Sequence, residues 1–297
     1  SWRLSFVPML LLTAAFLWLV ATEAAERPAP SNGPAALPIG RVTIIGLAII
    51  AVSFAGATRD VTLASLLIIL TLGLLALCFR IDRRSASRLF PQRLLSLRQP
   101  ASLGIWILGL MYGAEAVAPL YNTYFVQIGH GTSVFFAGQF SAILAVSWSA
   151  TAILIARLGK VPGKTMLVLG PALLAAGLGL LIFWHDLPLA IAALGLAAMG
   201  CGFGLSYGFF TEYVIGFAPS VERDVTAGAI PSIESTCAAI GAAVAGLIGN
   251  AAGFGRHGAA DIPALVPILV YGASTAIALI AVAWAWRFRR LAIAAGI

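Results

Sequence analysis

Charge is what this sequence lacks. Asp, Glu, Lys and Arg make up only 10% of its 297 residues, against about 25% in soluble domains, and that shortage excludes an ordinary water-soluble globule. Cysteine is scarce too: the three residues Cys78, Cys201 and Cys237 all sit inside apolar runs. They read as small buried hydrophobes, with neither a disulfide framework nor metal-ligand spacing. His130, His185 and His257 are the only histidines; they fall in or beside loops and take no role. Gly159–Thr165 ends in Gly163-Lys164-Thr165 but lacks the GxxxxGK spacing of a phosphate loop and the strand before it. An HExxH helix and a nucleophile elbow are also missing. With no convergent catalytic set, no metal and no cofactor to expect, an enzyme is the weakest of the readings.

Long apolar runs are what the sequence has instead. Hydrophobic residues reach 61% and the mean hydropathy is +1.00. A bilayer core of ~30 Å takes about 20 apolar residues in a helix. Runs of that length predict an all-α polytopic membrane protein with about nine crossings, over 5–21, 41–57, 61–79, 102–126, 134–157, 165–184, 187–215, 226–252 and 264–286. Glycine and proline inside these runs are tolerated, because neighbouring helices satisfy the freed backbone groups.

Placing successive loops on alternate sides tests that reading. All of the 18 lysines and arginines except Arg3, Arg59 and Arg256 then gather on one side. Basic loops face the cytoplasm, so that side is expected to be inside, with the C-terminus, including the tail 291–297, cytoplasmic and Ser1 outside. The net charge of +7 is thereby explained without nucleic acid. An outside N-terminus and the abrupt Ser1-Trp2-Arg3 start read as the tail of a longer protein, the alternative being a complete nine-helix one. The proline-rich stretch 22–40 reads as a flexible linker. In 80–100, arginines alternate with Leu89, Phe90, Leu94, Leu95 and Leu97, which predicts a short helix lying on the membrane and held by anionic lipid. The helices within 41–79 carry almost no polar residues and are expected to face lipid. From 101 to 290, six helices with short loops suit two three-helix repeats of inverted topology, 102–184 and 187–286.

Polar residues begin to appear inside those six helices. Within Leu108–Thr123, the carboxylate of Glu115 lies mid-membrane, where a charge costs at least a few kcal/mol and is a functional-site hypothesis by default. Tyr112, Glu115, Pro119 and Asn122, spaced three, four and three apart, fall on one face of a continuous helix. Glu234, three residues after Pro231 and among Ser232, Ser235 and Thr236, is the second candidate; Glu212, nearer the membrane surface, is the third. Burial disfavours the charged form of a carboxylate and so brings its protonation toward neutral pH, as a reversible proton carrier requires. Tyr112, Tyr121, Tyr207, Trp148, Ser147 and Thr211 are candidates for an amphipathic cavity wall. Gly200, Gly204 and Gly208, and Gly249 with Gly253, have the GxxxG spacing of tight helix packing.

Several segments resemble the fourteen-helix drug:proton antiporters of the major facilitator superfamily. Ser1-Trp2-Arg3 through Val7-Pro8 is similar to that family's W-R-W-x-F-x-x-N-x-P opening of helix six. Leu89-Phe90-Pro91-Gln92-Arg93-Leu94 resembles the P-L-F-P-L-R-L-F segment before helix nine. Ala156–Lys164 resembles a degenerate basic loop that has lost its acidic residue, and Pro219–Gly228 the P-x-E-R-x-G-x-A-S-A turn before helix thirteen. Where the family often carries an Arg-Gln pair, this chain has Glu234-Ser235. The resemblance implies that 1–21 is helix six, 41–79 the two extra helices and 101–290 the C-terminal bundle. It further implies partner helices from the N-terminal part of the same protein, and export of small amphipathic molecules driven by the proton gradient across a bacterial plasma membrane. The competing reading is a truncated, non-transporting helical membrane protein.

Overall fold

A chain this poor in charge must satisfy its backbone internally to sit in a bilayer, and helices do so within each segment. The computed structural model describes residues 6–24, 38–85, 87–158, 162–255 and 262–295. The expected Trp-Arg opening over 1–5, most of the linker (25–37), the loop centre at Lys160, and Arg256 and His257 lie outside the described residues. The chain divides into two units, Ser1–Leu37 and Pro38–Ile297. In the first, α1 (Phe6–Ala24) is a 19-residue apolar helix, and its Thr13 and Thr22 hydroxyls donate back to the carbonyls of Met9 and Trp18.

The second unit holds α2 (Ile39–Ala57), α3 (Val61–Arg84), α4 (Pro100–Glu115), α5 (Val117–Tyr124), α6 (Val134–Leu158), α7 (Gly163–Leu181), α8 (Leu189–Phe217), α9 (Arg223–Ala251) and α10 (Leu265–Ala294). A π-helical turn, Phe125–Gly129, extends α5, so that α4, α5 and this turn form one interrupted crossing. Among the described residues, eight helices are long and apolar enough to span a membrane. The ninth crossing expected over 5–21 corresponds to α1, whose apolar core is shorter than those eight. Helix α10 runs on to Ala294, taking in most of the expected tail, because Leu291-Ala292-Ile293-Ala294 favours helix.

Helix α4 is the axis of the second unit: it packs on α8, α9 and α10, and Leu103, Ile107, Leu108, Met111 and Ala114 on it are fully buried. The contacts repeat between the two expected halves. Exchanging α4, α6 and α7 for α8, α9 and α10 carries the α4–α9 contact onto α8–α6 and the α4–α10 contact onto α8–α7, while α4–α8 and α7–α10 map onto themselves. Both cross-half contacts rest on glycine. A Cβ on Gly241 of α9 would lie 2.0 Å from the carbonyl oxygen of Gly113 on α4. On α8, a Cβ at Gly200 or Gly204 would lie 2.1 or 2.5 Å from the carbonyls of Leu144 or Trp148 on α6. Gly249 likewise makes room for the Tyr121 hydroxyl. One expected packing glycine is corrected: a Cβ on Gly208 would have no neighbour within 4 Å, and the residue opens on a cavity. Gly253, with φ of 94°, follows the end of α9 and turns the chain there, as glycine does at helix C-termini.

The α2–α3 hairpin turns one face outward with Ile50, Phe54, Leu66 and Ile69 and binds the bundle with the other. At one end Asn250 Nδ2 donates to the carbonyls of Gly56 (3.1 Å) and Thr58 (3.3 Å). At the opposite end Arg41 and Asp82 form a buried ion pair. Asp82 also accepts the backbone N–H groups of Leu89 at 2.7 Å and Phe90 at 3.1 Å. That arrangement overturns the helix expected within 80–100. Beyond α3, residues 87–99 form bends and turns, because the amides of Leu89 and Phe90 are taken by a side chain and Pro91 has none to give. Phe90 and Leu94 are buried in the protein instead of lying on a membrane surface, and Trp106 Nε1 donates to the Leu94 carbonyl at 2.9 Å.

Gly241→Leu should force α4 and α9 apart and destabilise the purified protein by about 1–3 kcal/mol, the usual cost of overpacking. Gly208→Ala, with open space around it, should be near neutral. Thermal unfolding of both variants in detergent measures the difference.

Candidate functional site

The cluster begins from a break in a helix. Pro119 lacks an N–H and its ring crowds the carbonyl four residues back, which is that of Glu115. Helix α4 accordingly stops at Glu115 and α5 begins at Val117. The single face expected for Tyr112, Glu115, Pro119 and Asn122 therefore does not continue across the segment. Pro119 is exposed. Asn122, 2% exposed, turns into the bundle, where its Oδ1 accepts the Tyr271 hydroxyl of α10. Pro231, by contrast, is carried within α9 without interruption.

On the α4 side of the break, three helices bring polar groups together. Tyr207 of α8 interacts through its hydroxyl with both Tyr112 of α4 and the carboxylate of Glu234 on α9. Glu115 and Glu234 both exert their charge on Tyr112. Glu115 is half-buried. Glu234 is 6% exposed, and its Oε1 has no hydrogen-bond partner among the described residues. The ion pairs among those residues are Arg41–Asp82 and Arg88–Glu222, so neither membrane carboxylate faces a fixed cation there. An unbonded, unpaired carboxylate oxygen at that burial is costly, and a bound proton or a cationic ligand would offset the cost.

Aromatic rings wall the cluster. Tyr112 meets Phe203 edge-on at 5.1 Å and Trp148 at 6.1 Å between centroids, and Trp148 stacks on Phe203 at 4.6 Å. Trp148, Phe203 and Tyr207 continue into a cavity of about 470 Å³ between α6 and α8, which also holds Gly208 and Glu212. Glu212 is exposed at its mouth. Of the residues singled out from sequence, Tyr112, Glu115, Tyr207 and Glu234 come together, and Glu212 joins through the cavity.

Asn122 and Tyr121 belong to a different layer, toward the end of the bundle away from the basic loop. Tyr121 donates to the Ala245 carbonyl at 3.0 Å. Its ring meets Phe125 and Phe254, and Phe125 in turn meets Trp184 and Tyr271, which stack at 6.5 Å. Sequence reasoning missed Phe203, Tyr271 and the Arg41–Asp82 pair. Spacing carries no signal for partners on distant helices; the break did have one, Pro119 four residues after Glu115, which the single-face expectation passed over.

Membrane-length helices around an inward-facing carboxylate and aromatic cluster define a multi-pass helical membrane protein. No protein-family model matches the chain. It is similar, at 27% identity over 282 residues and 87% of its own length, to a probable multidrug-efflux transporter of Mycobacterium tuberculosis, found in strains CDC 1551 / Oshkosh and H37Rv. The match covers 57% of those relatives, so the chain spans little more than half their length.

Tyr271→Phe removes the donor to Asn122 and leaves a buried amide oxygen unsatisfied, which costs about 1–3 kcal/mol. The variant should melt at lower temperature in detergent than the unsubstituted protein.

Proposed function

We propose that this chain forms one wall of a secondary transporter that exports small amphipathic organic molecules in exchange for protons. The observation that carries the proposal is Glu234: a buried carboxylate that, among the described residues, has an unbonded oxygen and no fixed cation, joined through Tyr207 to Tyr112 and beside an aromatic-lined cavity. In this reading Glu234 takes up a proton and releases it as substrate engages the aromatic wall. Glu115, at the break of the central helix, is the second carboxylate on the path. Tyr112 and Tyr207 relay hydrogen bonds between them, and Glu212 attracts substrate at the cavity mouth.

Three observations support the class. The relatives are probable multidrug-efflux transporters; the contacts of the six-crossing bundle repeat between its halves, as inverted-repeat transporters require; and two carboxylates inside membrane helices, Glu115 and Glu234, both act on Tyr112. The resemblance to fourteen-helix drug:proton antiporters gives the fuller proposal. The basic end faces the cytoplasm of a bacterial plasma membrane, the C-terminus lies inside, and helices of the kind that fill the remaining length of the relatives supply the opposite cavity wall. Substrate would then gain alternate access from each side as the two walls rock about the cluster.

The test is proton-driven efflux of a fluorescent amphipathic dye from vesicles holding the transporter that contains this chain. Glu234→Gln and Glu115→Gln should each reduce efflux to background while leaving membrane insertion intact. Unchanged efflux with unchanged pH dependence in both variants would overturn the assignment.

A further inference from the structure

The basic loop offers a site that transport does not use. A cavity of about 390 Å³ lies between the end of α3 and residues 90–96. Its floor is apolar, made by Phe79, Phe90 and Leu94, and Arg83 and Arg93 stand on its rim. Phe90 and Leu94 are buried, while both arginines are exposed. Asp82 also lines the cavity, but its carboxylate is taken up elsewhere: it pairs with Arg41 and accepts the amides of Leu89 and Phe90. Arg88 faces Glu222 at 3.6 Å, but neither Arg83 nor Arg93 has an ion pair among the described residues. Leu95, on the same cavity, leaves 60% of its surface uncovered.

We propose that this cavity binds the headgroup of an anionic phospholipid, with its phosphate between Arg83 and Arg93 and the start of its acyl chains against Phe79 and Leu95. Two features together select a lipid. Guanidinium groups grip phosphate oxygens in a fork, a need that any phosphate satisfies. The apolar floor and the bare Leu95 lie where α3 leaves its membrane-length apolar stretch, and only an amphiphile covers them while its charge stays on the rim. Because the same loop is suspended from Asp82 and touches α4 through Trp106 and Leu94, a bound lipid braces the loop against the central helix. The loop's arginines thus hold lipid through a folded pocket and not through the surface helix that their pattern predicts.

The test is native mass spectrometry of the purified full chain in non-ionic detergent, titrated with phosphatidylglycerol. Phosphatidylcholine serves as the neutral lipid and glycerol 3-phosphate as the soluble phosphate. With about 1 kcal/mol per arginine near anionic lipid, Arg83→Gln or Arg93→Gln should each weaken phosphatidylglycerol binding roughly fivefold, and the double variant roughly thirtyfold. Arg287→Gln with Arg290→Gln, at the same end of the bundle, should change binding less than about twofold. Phosphatidylcholine should bind no better than it does to the double variant. Three results would overturn the proposal: unchanged affinity in both single variants, an equal loss in the α10 pair, or displacement of the lipid by glycerol 3-phosphate.

Discussion

Lipid tails are as apolar as leucine, so helices in a bilayer gain little by hiding side chains and must instead gain by packing closely. Between α4 and α9 that packing reaches the backbone, with Gly241 set against the carbonyl of Gly113. The contact decides more than stability. Glu115 and Tyr112 lie within one turn of Gly113 on α4, and Glu234 lies two turns before Gly241 on α9. Bringing these two backbones together therefore brings the two membrane carboxylates to the same tyrosine. The matching contact of α8 with α6, at Gly200 and Gly204, brings Tyr207 and Trp148 together beside them. A bulkier residue at any of these glycines would separate the polar groups as surely as it would loosen the bundle.

The two buried acidic arrangements illustrate how partners decide a carboxylate's role. Asp82 has a guanidinium and two backbone amides, so its charge is fully compensated and it serves to fold the loop after α3. Glu234 has Tyr207 beside it and one oxygen with no partner among the described residues. A compensated charge holds structure; an uncompensated one is a place for a proton or cation to come and go. This contrast is why the transport reading rests on Glu234 and the loop's anchoring on Asp82.

Much of this was legible before any coordinates. Charge scarcity and apolar run length announced the membrane helices, and carboxylates inside them marked Glu115 and Glu234 without reference to contacts. The limits were equally physical. Helical periodicity assumes an unbroken helix, so Asn122 was placed on the Glu115 face although Pro119 interrupts the segment between them. Amphipathic spacing in 80–100 suggested a surface helix, because the carboxylate that captures the Leu89 and Phe90 amides belongs to α3 and finds its own partner on α2. Glycine spacing identified Gly200 and Gly204 as contact points; Gly113, four residues after Gly109, and Gly241, eight before Gly249, carry the same kind of small-residue spacing, but nothing in it says that these two face each other across two helices. What sequence spacing cannot carry is the identity of a neighbour on another helix.

The central claim is that Glu234 exchanges a proton inside the membrane region, and carbodiimide labelling tests it directly. A lipid-soluble carbodiimide reacts with protonated carboxyl groups, and peptide mass spectrometry locates the adduct. The account predicts an adduct on Glu234 that declines as pH is raised and is suppressed by an amphipathic substrate bound beside Tyr112 and Tyr207, with Glu212 labelled instead by a water-soluble carbodiimide. Absence of label on Glu234 at every pH, or labelling that neither pH nor substrate alters, would contradict it.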